Sequence, residues 1–146
     1  MSLTASFAKD FAQHWIKAWN TKDIDAIMTH YAEEVVFSSP LIITTQTNLT
    51  GILKGKAALS AYFTGALQRN PDLQFDLQHT MLGVRSITLL YMRSHTTLAA
   101  ETMILNEQGL IIEGCSHYPS GQTHLKVQDR FAEFRAPSRH KPFLSF

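Results

Sequence analysis

Asp72-Leu73-Gln74-Phe75-Asp76-Leu77-Gln78-His79-Thr80-Met81 is the stretch where the period of the chain changes. Leu73, Phe75, Leu77, His79 and Met81 take alternate positions, with acidic, amide and hydroxyl side chains between them. That is the pattern of a strand buried on one face. Before Pro71 the apolar residues follow the helical period; after it they alternate. The sequence therefore predicts an α+β domain with helices first and an antiparallel sheet second.

Downstream, Gly83 to Ser86 can turn the chain into a strand from Ile87 to Ser94. His95 to Thr97 turns it again into Leu98 to Asn106, and Glu107-Gln108-Gly109 is a tight turn before Leu110 to Tyr118. Strands joined by such short turns pair antiparallel. Tyr91 and Arg93 share one phase of their strand and Leu90 and Met92 the other; the alternation does not say which pair faces inward.

Upstream, Phe7, Phe11, Trp15 and Trp19 form the apolar stripe of a helix from Ala5 to Asn20, with Thr4 as its N-cap. Ile24, Ile27, Met28 and Tyr31 give a second, shorter helix started by Asp23. Val35 to Ser39 is a short strand stopped by Pro40. Leu41 to Lys54 reads as a long polar loop whose glycines would permit a lid, and Lys56 to Arg69 as a third helix with Leu59, Tyr62 and Phe63 on its apolar face. The domain is expected over 1–118. A C-terminal extension follows over 119–146, with a short helix at 125–134 and a basic stretch from Arg135 to Lys141.

The 146 residues suit one domain, and the formal net charge of +1 supplies no broad surface for nucleic acid. Cys115 is the single cysteine, so neither an intrachain disulfide nor a cysteine zinc site is expected. The seven histidines lack metal-site spacing, and no glycine-rich phosphate loop is present. No metal or cofactor is expected. With neither a signal peptide nor an apolar run long enough for a bilayer, a cytoplasmic protein without membrane contact is expected.

Trp19-Asn20-Thr21-Lys22-Asp23-Ile24-Asp25-Ala26-Ile27, Tyr31-Ala32-Glu33-Glu34-Val35-Val36-Phe37, Gly55-Lys56-Ala57-Ala58-Leu59 and Asn106-Glu107-Gln108-Gly109-Leu110-Ile111 occur in an order that resembles the NTF2-like superfamily, especially its SnoaL-like branch. The resemblance implies a cone, with three N-terminal helices packed in a curved antiparallel sheet around an apolar pocket. It also implies a homodimer through the outer face of the sheet. Relatives include ketosteroid isomerases, cyclases, dehydratases and non-enzymes, so the fold leaves the function open. At the positions matching the isomerase pattern, the base aspartate is replaced by Ser39 and the oxyanion tyrosine by Trp15, while Glu101 keeps the second acid. Steroid isomerisation by that constellation is not expected.

Glu101 is a carboxylate inside the apolar run Leu98 to Leu105; on the inner face it would be desolvated and its pKa raised. His79, in the inner phase of its own strand, is the second candidate, and the two would exchange protons if they faced each other. Trp15, Phe37, Ser39, Tyr62, Tyr91, Met103, Ser116 and Tyr118 are the expected lining of a pocket for a small apolar molecule. Two functions stand at this point: a cofactor-independent acid–base isomerase, cyclase or lyase, or a non-catalytic module binding a ligand or partner.

Overall fold

The computed structural model of the chain describes residues 3–121; the helix and basic stretch expected in the extension lie outside the described residues. Helix α1 (Ala5–Asn20) starts where the sequence predicts, its first turn capped by Thr4 Oγ1 accepting from the Phe7 amide at 3.0 Å. Helix α2 (Ile24–Met28) is capped by Asp23, which accepts from the Ala26 amide at 3.0 Å.

Strand β1 (Tyr31–Ser38) then begins four residues earlier than Val35, and Tyr31 belongs to it rather than to α2. The cause is local. Tyr31 and Ala32 are both buried and Glu33 and Glu34 both exposed, so no alternation marks the strand's start, where its pairing is irregular.

The segment expected to be a loop holds two elements, α3 (Pro40–Thr44) and β2 (Ile52–Lys54). Ser39 caps α3 by accepting from the Leu41 amide, and Pro40 occupies the first turn, where its missing N–H costs nothing. Asn48 Oδ1 accepts from the amides of Thr50 and Gly51 at 3.0 and 2.8 Å and its Nδ2 donates to the Ile52 carbonyl, while Gly51 supplies a φ of 75°. These bonds pin the segment to the sheet edge, which counts against a free lid.

Helix α4 (Lys56–Arg69) leads to β3 (Phe75–Leu82), β4 (Ser86–Arg93), β5 (Thr97–Leu105) and β6 (Ile111–His117). With α3, the described chain has four helices where three were expected. The sheet has six strands in the order β2-β1-β6-β5-β4-β3. Every neighbouring pair is antiparallel except β1 and β6, which run parallel, so the sheet is mixed.

The helices cover one face. Trp15 stacks on Phe75 at 5.7 Å, and Trp19 meets Phe63 edge-on at 4.8 Å, so the stripe of α1 joins β3 to α4. Asn20 fixes the same corner: its Nδ2 donates to the Phe75 carbonyl at 2.9 Å and its Oδ1 accepts from the Phe75 amide at 2.7 Å. Among the described residues, no helix is long and apolar enough to cross a membrane.

Candidate functional site

A cavity opens between the helices and the inner face of the sheet. Its empty volume is ≈ 440 Å³ with the open mouth included, but the centres of water-sized molecules fit into only ≈ 50 Å³ of it. It is thus a narrow slot, and a ring-sized ligand would occupy the open mouth as well as the inner space.

Cross-strand register decides which side chains reach it, because residues directly opposite each other share a face. On β4 the inward set is Ile87, Leu89 and Tyr91, all buried, followed by Arg93; Leu90 and Met92 face outward. On β5, Glu101 lies opposite Leu89 on one side and opposite Ser116 on the other. On β6 an irregularity after Ile104 in the pairing with β5 leaves Ile112 without an opposite residue, so Ile111, not Ile112, is buried, while Gly114, Ser116 and Tyr118 keep the inward phase.

Glu101 is 2% exposed. Ser116 Oγ donates to its Oε1 at 2.6 Å, and among the described residues no cation offsets its charge. Burial pushes its carboxyl up to about 8, the Ser116 hydrogen bond acting weakly in the opposite sense. Arg93 is not among the groups that act on the carboxyl. Its second oxygen stands beside Gly114, where a Cβ would come within 3.9 Å of Oε2 and 3.0 Å of Phe37 Cδ1. The missing side chain keeps that oxygen clear.

The chain has four tyrosines, Tyr31, Tyr62, Tyr91 and Tyr118, and the charge of Glu101 acts on all of them. Burial, first, and Glu101, second, hold the Tyr31, Tyr91 and Tyr118 phenols above their ordinary range, so they remain O–H donors. Trp15 Nε1 donates to the Tyr31 hydroxyl at 3.2 Å, leaving the tyrosine its own proton to give. The Ser39 hydroxyl reaches that of Tyr118 as well as capping α3.

Of the residues expected to line a pocket, Trp15, Phe37, Ser39 and Tyr62 do so from the helices and β1, and Tyr91, Ser116 and Tyr118 from the later strands. Met103 does not: it is fully buried, in the core beyond the cavity. His79 is the larger correction. Leu77 pairs with Tyr91 on the inner face, but His79 pairs with Leu90 on the outer one, because Gln78 is an extra residue in the β3 ladder. His79 is therefore exposed and on the opposite side of the sheet from Glu101, and the two form no acid–base pair.

The lining also includes Trp19, Phe63, Phe75 and Arg93, which the sequence had not assigned to it. The shared phase of Tyr91 and Arg93 was a signal for the last of these; for the aromatics nothing separated lining from core.

Residues 12–118 match the family model of the SnoaL-like domain. A SnoaL-like protein of unknown function from Burkholderia thailandensis is 35% identical, with a TM-score of 0.77 over 82% of this chain and 99% of that one. An NTF2-like protein of unknown function from Cytophaga hutchinsonii is 16% identical (TM-score 0.60; 82% and 93% covered). SalBIII, an epoxide hydrolase/cyclase-like enzyme with a role in pyran ring formation in salinomycin, is also 16% identical (TM-score 0.61; 78% and 92% covered). The two more distant likenesses speak for the fold alone, an NTF2-like α+β cone. Among curated proteins no sequence matches the chain.

Proposed function

The chain belongs to the SnoaL-like family, and from that premise we propose that it is a small-molecule enzyme in which Glu101 moves a proton to and from an apolar organic ligand held in the cavity. The observation that carries this is Glu101 itself: a buried carboxyl, without an ion pair among the described residues, in a slot walled by phenols and aromatic rings. With its carboxyl pushed up to about 8, both protonation states are populated around neutral pH. As a carboxylate it can take a proton from a carbon next to a carbonyl. The electron pair then moves onto the carbonyl oxygen, where Tyr91 or Tyr118 can donate a hydrogen bond to the enolate. Returning the proton to another carbon is an isomerisation. Ring closure or loss of a leaving group from the same enolate gives a cyclase or a lyase. The chemistry needs no cofactor.

Deuterium uptake next to the carbonyl of a panel of cyclic ketones, followed by proton NMR, tests the reading. Exchange above the buffer rate with the wild type, lost in Glu101→Gln, is expected. Ligands that bind in the cavity but exchange no faster than in buffer would overturn it in favour of a non-catalytic ligand-binding module.

We also assign the outer sheet face to a second copy of the chain. Met81 and Leu98 are 54% and 47% exposed there, beside the half-buried Leu90 and Met92. Light scattering should give a dimer mass that Leu98→Lys reduces to the monomer; a monomeric wild type would refute this.

A further inference from the structure

We infer that the ligand of this cavity carries an oxyanion, in the form of a ring-containing organic carboxylate, and that Arg93 is the residue that selects for it. The inference shares with the proposed function the cavity as the ligand site, but not the catalytic role of Glu101.

Arg93 closes β4 and lines the cavity, half-buried among rings. It makes no ion pair among the described residues, where the cation of Arg85 has Glu107 at 2.6 Å on the far surface. The groups that feel its charge are the phenols of Tyr62 on α4, Tyr91 on its own strand and Tyr118 beyond β6. All are neutral. A guanidinium held against aromatic walls without a carboxylate loses hydration and gains little in return, and an anionic ligand supplies the missing partner.

Glu101 is the single acid among the described lining residues, and it is not that partner. Glu101 stands opposite Leu89, and Arg93 is four residues further along the same strand, opposite Thr97. Their backbone positions are therefore roughly 13 Å apart along the sheet. The slot thus has a neutral acid at one end and a bare cation at the other.

Between them lie flat walls: Phe75 and Tyr91 are 4.4 Å apart centre to centre, and Trp15 stacks on Phe75 at an interplanar angle of 20°. These rings touch one another and form a continuous aromatic wall, on which a planar ring can stack.

A second observation points to a missing acceptor at the Arg93 end. Trp19 is 5% exposed and lines the cavity, yet its indole N–H is buried with no hydrogen-bond partner among the described residues. Its ring is 5.4 Å from that of Phe75, the residue paired with Arg93 across the β3–β4 ladder. An oxygen of a carboxylate placed there can accept from the indole as well as from the guanidinium.

The test is a matched pair of probes, naphthoate and its neutral methyl ester, titrated calorimetrically into wild type, Arg93→Gln, Arg93→Lys and Glu101→Gln. The wild type should bind naphthoate about ten-fold or more tightly than the ester. Arg93→Gln should abolish that preference while still binding the ester, and Arg93→Lys should keep part of it, which also controls for folding. Glu101→Gln should keep the preference even if it loses proton exchange, so the catalytic reading can fail without this one. Naphthoate binding no more tightly than the ester, or not at all, would overturn the assignment. So would an unchanged preference in Arg93→Gln.

Discussion

Strands β5 and β3 carry the same kind of pattern and treat it differently. On β5, Ala99, Glu101, Met103 and Leu105 stay on one buried face to the end of the strand. On β3, Phe75 and Leu77 face inward, the ladder admits Gln78 as an extra residue, and His79 and Met81 emerge on the outside. Two polar side chains that look equivalent in an alternating pattern thus end on opposite sides of one sheet. Alternation predicts a face only while the ladder is unbroken, and β3, an edge strand, has one neighbour to hold it in step. Only the carboxyl on the unbroken strand reaches the cavity.

The largest expected consequence is in stability. Folded, Glu101 stays neutral up to about pH 8; unfolded, it ionises above its ordinary 4.5. Between those limits the unfolded chain binds fewer protons, so rising pH favours unfolding. The stability is complete below 4.5 and is lost as pH passes 8, a change of roughly 5 kcal/mol in order of magnitude. Denaturant titrations of the wild type at pH 5 and pH 9 should show that loss, and Glu101→Gln, which cannot ionise, should show little of it. Next, Glu101→Gln should lower the deuterium exchange rate about a hundred- to ten-thousand-fold, measured by NMR at pH 8. Gly114→Ala pushes a methyl group to within 3.0 Å of the Phe37 ring and should cost about 1–3 kcal/mol in chemical denaturation. Ser116→Ala removes the hydrogen bond that favours the ionised carboxyl, so the pH midpoint of exchange should rise. At the small end, His79→Ala should change stability by less than about 0.5 kcal/mol and exchange not at all. A large loss of exchange in that variant would mean that His79 reaches the cavity despite its outer position.

Much of this was legible in the chain. The change of period at Pro71 announces the order of helices and strands, and the caps Thr4 and Asp23 mark the helix starts that the structure has. The inner phase of Glu101 followed from Leu98 to Leu105, and seven of the eight expected lining residues reach the cavity. What stayed hidden has a common physical origin in departures from regular pairing. The irregular start of β1 and its parallel contact with β6 depend on a strand distant in sequence, and the offset at Ile112 and the bulge at Gln78 lie inside hairpins whose turns do not show where the ladder admits an extra residue. Neither α3 nor β2 is long enough to display a period. Met103 shows the remaining limit: alternation assigns a face, but not whether that face meets a cavity or packed side chains.

The chemistry of the cavity depends on the protonation state of Glu101. Carbon-13 NMR of protein labelled at the glutamate carboxyl carbons, titrated with pH and compared with Glu101→Gln to identify the resonance, measures it directly. A Glu101 signal with its midpoint near 8 is the predicted result. A midpoint at the ordinary 4.5 would mean that the carboxyl is solvated or paired with a cation, and would contradict both the buried acid and the chemistry built on it.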